Sequence, residues 1–218
     1  MSAETPIKAP PSGTGLPKSP ASFRPGGLVL GSASPRRREI LEAQGIRLHV
    51  RSPSVNEMVK PTEAPNAYLD RIVSAKLAAS VKILGEGVHA VALVVADTIV
   101  TIDGEILGKP KDRADASRMI ARLQNATHHV MTRFAIATLE GKNLHAETVT
   151  TQVTFRALPS GEQQKYVATG EGDDKAGAYA VQGRAAGFVT RIDGSFSNVV
   201  GLPICELMVA LDKLELSP

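Results

Sequence analysis

The stretch Leu28-Val29-Leu30-Gly31-Ser32-Ala33-Ser34-Pro35-Arg36-Arg37 decides how this chain is read. It reads as a short buried strand that breaks into a helix at Ser34-Pro35. Ser34 is a good helix N-cap, and Pro35 suits the first helical position. The first turn then carries Arg36, Arg37 and Arg38. That is the wrong sign for a helix start, where the macrodipole is already positive. Without a bound anion the arrangement costs stability. Free backbone N–H groups, the Ser32 and Ser34 hydroxyls and adjacent guanidinium groups together suit a phosphate. The segment is therefore read as a polyphosphate cradle. The competing reading is an ordinary amphipathic helix with three solvated arginines; the rest of the chain favours the cradle.

A length of 218 residues allows one compact domain with a sizeable core. Its 43% hydrophobic and 22% charged residues are those of a soluble globular protein. Five Phe, three Tyr and no Trp leave little for stacking platforms, which argues against single-stranded nucleic acid as a partner. A net charge of +3 without a long basic run points to neither DNA nor a membrane surface. No stretch is long and apolar enough to span a bilayer. The single cysteine, Cys205, excludes an intrachain disulfide and a multi-Cys zinc site, and fits a reducing cytoplasm. Among Leu202, Ile204 and Leu207 it is expected to be a small core residue. Residues 1–27 hold six of the 14 prolines and no apolar h-region. A secretory signal is not expected there, and a cleaved organelle leader is left open. This Pro- and Gly-rich tail is expected to be disordered, with the folded domain over 28–214.

Helices are expected over 35–44, from Pro65 to Leu84, over 112–123, after Ser160-Gly161-Glu162-Gln163 as a capping box, and from Pro203 to Leu214. Ile46 to Arg51 reads as a strand. Val91 to Ala96 is an uninterrupted apolar run ending at Asp97, which suits a strand buried on both faces. Thr98–Ile102, Asp103-Gly104 and Glu105–Leu107 read as a hairpin with a primed turn. Val130–Leu139 and Leu144–Phe155 read as a long antiparallel pair, and Phe188–Ile192 as a further strand. The fold class is α/β, layered in the α+β manner, with a curved mixed sheet flanked by helices.

Asp97, placed at the end of the most apolar strand, is the first catalytic candidate, because ligand sites gather outside the carboxyl ends of strands. A carboxylate there is costly without a metal, base or water beside it. A plain strand-end cap is the alternative. Lys109, in Gly108-Lys109-Pro110, stands on a stiff turn that suits a phosphate contact or plain solvation. Lys76 lies within a helix and Glu57 in a polar loop; neither is a strong signal by itself. Gln182, in the segment Asp174 to Gly183, carries both a donor and an acceptor and so is able to read a base edge. His128 and His129 are adjacent on an extended chain and point to opposite faces, which disfavours a shared metal. No HExxH, GxSxG or Walker-type motif is present, which disfavours zinc proteases, serine hydrolases and P-loop NTPases.

Taken together, Gly31-Ser32-Ala33-Ser34-Pro35-Arg36-Arg37, Ala96-Asp97-Thr98, Leu107-Gly108-Lys109-Pro110, Thr127 to Thr132, Asp174 to Gly183 and Val200-Gly201-Leu202-Pro203 resemble the Maf family of nucleotide pyrophosphatases, also named septum-formation inhibitors. The resemblance runs from Leu28 to about Leu211, in the family's order. It implies an inosine-triphosphatase-like fold, an elongated α/β domain with a central cleft. It also implies hydrolysis of nucleoside triphosphates to monophosphate and pyrophosphate with a divalent cation, Mg or Mn. Asp97-Thr98 and Ala178 to Gln182 resemble the subgroup that prefers dTTP and UTP. By resemblance, Asp97 is the proton acceptor. Arg36, Thr98 and Gln182 govern substrate choice, and Ser32, Arg37, Glu57, Lys76 and Lys109 line the phosphate and metal site. Asp97 and Glu57 are the metal ligands this implies. A 7-methyl-GTP pyrophosphatase and a non-catalytic nucleotide sensor regulating cell division are the alternatives, and a homodimer is left open. One departure stands out: Leu123-Gln124-Asn125-Ala126 replaces the Ser-Gly pair usual after the leucine, which puts the local turn in question.

Overall fold

The computed structural model describes residues 26–217, so the expectation for residues 1–25 lies outside the described part. Among these residues one mixed sheet has the order β2-β1-β3-β5-β6-β7, with β4 attached to β3. The strands are β1 (Gly27–Gly31), β2 (Leu48–Arg51), β3 (Ala90–Ile102), β4 (Glu105–Leu107), β5 (Thr127–Ala137), β6 (Asn143–Phe155) and β7 (Val189–Asp193). β1 runs parallel to β2 and β3, and the other pairings are antiparallel. The helices are α1 (Pro35–Glu42), α2 (Pro65–Lys82), α3 (Arg113–Leu123), α4 (Glu162–Ala168), α5 (Phe196–Val200) and α6 (Ile204–Lys213).

The alternation of β3 sorts the core into two faces. Ala92, Val94 and Ala96 pack with Leu207 and Leu211 of α6, and further along Val100 and Ile102 pack with Met119, Ile120 and Leu123 of α3. On the opposite face Leu93 and Val95 meet Val73 of α2, and Ile99 meets Leu69 and Ile72. Each face therefore holds two apolar clusters, and the seam between them falls at one place in the sequence. Asp97 lies between Val95 and Ile99 on the α2 face, and Thr98 between Ala96 and Val100 on the other. α2 sits close to β1 because Gly31 has no side chain. A Cβ there would overlap the Ser80 hydroxyl and a methyl of Val95.

The expected break after Ala96 is not a break. β3 is one 13-residue strand, and Asp97 lies inside it. Pairing with β5 runs through Asp97↔Arg133 and Thr98↔Thr132 without interruption. The other edge differs. β1 pairs with β3 as far as Leu30↔Val94, and β4 begins at Val100↔Leu107. Residues 95–99 therefore have no partner strand on that side. Asp97 still lies beyond the carboxyl end of β1, so the reason for choosing it survives the correction.

Two smaller expectations also change. No capping box forms at α4: its N-cap is Gly161, at φ 82°, with no side-chain cap bond. The Gln163 amide, which would complete the box, donates instead to the Ser117 carbonyl and hydroxyl at 2.6 and 2.8 Å, and the Glu162 carboxylate pairs with the Arg156 guanidinium at 2.7 and 2.9 Å. Cys205 is exposed, because α6 buries Leu207, Ala210 and Leu211 on the stripe away from it. The short helix α5 was not foreseen, being only five residues long. The primed turn at Asp103-Gly104 is present, with φ of 52° and 78°.

Asn125 resolves the departure after Leu123. It follows the C-cap of α3 and adopts φ 52°, the left-handed region where glycine is usual. Asparagine tolerates this conformation better than other residues with a Cβ. Asn125→Val is expected to lower stability by about 1–2 kcal/mol. Asn125→Gly leaves it unchanged or slightly raised, and urea unfolding midpoints of the two variants separate these outcomes.

Candidate active site

The bare edge of β3 opens into a cavity of about 300 Å³. Its walls include the β1–α1 turn from Gly31 to Arg37, Asp97 and Thr98 of β3, Lys76 of α2, Glu57, Lys109 and the 174–182 segment. Each of the expected catalytic, substrate and metal residues, Asp97, Glu57, Ser32, Arg36, Arg37, Lys76, Thr98, Lys109 and Gln182, lies on this one cavity. Its volume is at the lower end of the range for small-molecule sites.

On the α2 face the site is ionic. Lys76 Nζ lies 2.6 Å from Asp97 Oδ1 and 2.7 Å from Glu57 Oε1. Lys76 and Asp97 are both buried, at 8% and 7% exposure, so each charge depends on the other for compensation. Lys109 Nζ reaches Glu57 Oε2 at 3.1 Å while remaining largely exposed. Burial pushes the Glu57 carboxyl up, but the hydrogen bond and charge of Lys76, followed by Lys109, outweigh it. The group is held below the ordinary carboxylate range. Glu57 is placed by α2, whose Tyr68 hydroxyl donates to the Glu57 carbonyl at 3.0 Å and whose Arg71 donates to the Met58 carbonyl.

The three arginines of α1 have three different fates. Arg38 pairs with Glu42 one turn on, in solvent. Arg37 turns inward and is buried at 7% exposure. Its Nε donates to the Gly201 carbonyl at 2.8 Å, its Nη1 to the Ala96 carbonyl at 2.8 Å and the Ser32 hydroxyl at 3.2 Å, and its Nη2 to Thr98 Oγ1 at 2.9 Å. Four of its five N–H groups are thus held by the protein, and one carbonyl it serves lies on the unpaired edge of β3. Burial lowers its pKa, while Asp97 and Glu57 pull the other way. Arg36 makes no side-chain hydrogen bond among the described residues and faces the cavity. The first turn of α1 contains no acid, so the positive helix end is balanced only at a distance.

The Thr98 hydroxyl is fixed by Arg37, by Thr132 at 2.9 Å and by the Gly201 carbonyl at 3.3 Å. Gln182 is exposed on the opposite wall, and its amide has no protein partner among the described residues. Tyr179 lies beneath that wall, its hydroxyl 2.9 Å from Nε2 of the fully buried His128. His129 points the other way, as its place on an extended strand requires. The His128–Tyr179 contact and the Arg37 network were not read from the sequence. Both join residues distant in the chain, and neither residue type announces its partner.

With this geometry in view, comparison with known proteins is decisive. Residues 27–214 match the family model described as Maf-like protein. The chain belongs to the Maf-like family. A relative from Geobacter sp. (strain M21), named dTTP/UTP pyrophosphatase, is 48% identical over 184 residues, 84% of this chain and 93% of the relative. Relatives of the same name from Geobacter sulfurreducens and Burkholderia pseudomallei are 45% and 44% identical, covering 87% and 84% of this Maf-like chain and 97% and 91% of their own lengths. A crystal structure titled nucleoside-triphosphatase / dITP/XTP pyrophosphatase, from Mycobacterium abscessus, covers 86% of this chain and 94% of its own. At 17% identity and a TM-score of 0.39, that likeness is too weak to carry an argument. Among the described residues no helix is long and apolar enough to cross a membrane.

Two measurements on the Maf-like chain test this geometry. Arg37→Met removes the side-chain donor of the buried Ala96 carbonyl and leaves the Gly201 carbonyl only the longer Thr98 hydroxyl contact at 3.3 Å, at a cost of about 2–4 kcal/mol in urea unfolding. Arg36→Met, which breaks no hydrogen bond, is expected to stay within about 0.5 kcal/mol of the parent. His128 gives a pH signature. Burial, with His129 adding to it, pushes its imidazole down to about 4 from an ordinary 6.5. The unfolded chain therefore takes up this proton at a higher pH than the folded one. Stability is full above pH 6.5 and falls by roughly 3 kcal/mol as pH drops to 4. His128→Asn flattens that part of the pH profile of the unfolding midpoint.

Proposed function

We propose that this protein hydrolyses nucleoside triphosphates, with dTTP and UTP preferred, to nucleoside monophosphate and pyrophosphate. The reading rests on one observation above the others. A buried carboxylate, Asp97, and a second, Glu57, meet at one ammonium group on the wall of a cavity that also holds the Ser32–Arg36 turn and Gln182. A plain nucleotide-binding pocket has no use for a desolvated acid beside its phosphate cradle. Membership of the Maf-like family and the names of the relatives support the same reading.

The donor set suits a divalent cation of the Mg²⁺ or Mn²⁺ type. Such ions take oxygen ligands and are commonly held by one or two carboxylates plus substrate phosphates. Asp97 and Glu57 supply those carboxylates, and among the described residues no cluster of three or more His, Cys, Asp or Glu forms an all-protein cage. When bound, the cation supplies positive charge on the phosphate oxygens and lowers the barrier to attack there. The remaining work falls to the chain itself. Asp97 orients water and accepts its proton as oxygen adds to the α-phosphorus and the bond to the bridging oxygen of the β-phosphate breaks. Lys76, 2.6 Å away, compensates the charge of Asp97 and holds its carboxylate in place. Ser32, the free backbone N–H groups of the β1–α1 turn, Lys109 and the remaining N–H of Arg37 balance the charge gathering on departing pyrophosphate. Arg36, the fixed Thr98 hydroxyl and the free amide of Gln182 face the base and select it. A free Cys205 without a disulfide fits a reducing compartment such as the cytoplasm.

The test is pyrophosphate release over a panel of nucleotides, including dTTP, UTP and 7-methyl-GTP, with Mg²⁺, with Mn²⁺ and with chelator. Turnover is expected to be highest on dTTP and UTP and lost with chelator. Asp97→Asn is expected to lower kcat by about 10²- to 10⁴-fold while nucleotide still binds. Full turnover in that variant would remove Asp97 as the base. Highest turnover on 7-methyl-GTP would overturn the substrate choice, and tight binding without release would overturn catalysis.

A further inference from the structure

The free amide of Gln182 is useful for selection only if its backbone is held still. Gln182 lies in a stretch with little regular structure, between short 3₁₀ turns at Ala176–Ala178 and Arg184–Phe188. Two side chains from α4 and the turn after it grip this stretch on either side of Gln182. Upstream, the Ala180 N–H donates to the Tyr166 hydroxyl at 3.2 Å. Downstream, the Glu171 carboxylate accepts from the Arg184 N–H at 2.9 Å and the Ala185 N–H at 3.4 Å. These are the first N–H groups of the 3₁₀ turn, so the acid also faces their partial positive charge. Gly183, next to Gln182, lies so close that an added Cβ would overlap the Glu171 carboxyl group. Glu171 is half-buried, and it is not on the wall of the cavity that Gln182 faces. Its carboxylate has no Lys or Arg partner within ion-pair distance among the described residues. Its strong bonds go to the backbone that carries Gln182.

We propose that Glu171 is a positioning residue for base selection: it never touches the nucleotide, and it sets the reach of Gln182 by clamping the Gly183–Ala185 backbone. The proposal rests on the reading of Gln182 as a base-selecting residue. Glu171→Ala releases the clamp, so the preferred pyrimidine nucleotides lose ground-state and transition-state contacts alike. KM for dTTP and UTP rises about tenfold, kcat stays within about twofold, and discrimination against purine nucleotides falls by a similar tenfold. Glu171→Gln, which keeps one acceptor for the Arg184 N–H, recovers part of that discrimination.

The deciding experiment measures kcat and KM on dTTP, UTP, ATP and GTP for the full chain, Glu171→Ala, Gln182→Ala and the double variant. Amide hydrogen exchange of the 178–186 region and a urea midpoint are recorded for each. If Glu171 acts through Gln182, its substitution has no further effect on discrimination once Gln182 is alanine, and exchange is faster at 184 and 185 in the single variant. Additive losses in the double variant would overturn the proposal. So would wild-type discrimination in an active Glu171→Ala chain. A Glu171→Ala chain too unstable to assay shifts the same comparison to Glu171→Gln, with the same two outcomes. A parent chain that releases pyrophosphate from no nucleotide removes the enzyme reading itself, and the proposal with it.

Discussion

One ammonium group holds two carboxylates, the buried Asp97 and the half-buried Glu57. Lys76 Nζ, within 2.7 Å of both Asp97 and Glu57, is the contact on which the site's chemistry depends. Removing the lysine would leave Asp97 as a buried acid with no cation beside it, a costly arrangement. Glu57, held ionised by the same contact, completes an oxygen-rich corner open to the cavity. The charges need each other, so α2, β3 and the loop carrying Glu57 must approach together.

The fold provides that meeting by leaving a strand incomplete. β3 is fully paired along β5, but its other edge is empty between the last residue paired to β1 and the first paired to β4. Five residues of edge backbone normally invite another strand. Here Arg37 of α1 donates to the buried Ala96 carbonyl, and Asp97 and Thr98 in the gap form a wall of the cavity. The same guanidinium bonds Thr98 and Gly201, so one side chain ties α1 to the central strand and to the α5–α6 connection. Arg37 thereby serves mostly as a structural clamp, while its neighbour Arg36 makes no side-chain hydrogen bond among the described residues and faces the cavity.

The site straddles the sheet for a related reason. Successive residues on a strand face opposite ways, so Asp97 and Thr98 lie on different faces of β3. The acid meets the ionic cluster under α2, and the threonine meets the Arg37 network under α1 and α5. Both faces are accessible from one cavity only because no strand blocks the edge between them. Two apolar clusters on each face close around the gap and leave just these polar positions uncovered.

Local chemistry was legible from residues alone where it depends on neighbours in the chain: the N-cap at Ser34, the turn at Asp103-Gly104, the helical period from Pro65 onward and the buried run before Asp97. The misreadings share one cause. Asp97-Thr98 resembles the end of a strand because polar residues there look like a terminus, and only β5, more than thirty residues away, shows that the strand continues. Ser160 resembles a cap, but Gln163, which would complete its box, is engaged by Ser117 of α3, far away in the chain. Cys205 looks buried beside Leu202, Ile204 and Leu207 because the orientation of α6 is set by what it packs against. The sequence by itself determined the kinds of group available, an acid, cations and a small-residue loop, and their family pattern. The tertiary structure alone decided which arginine faces the cavity and which is locked away, and which ammonium compensates the buried acid. Those choices follow from long-range packing and desolvation, and no window of local sequence contains them.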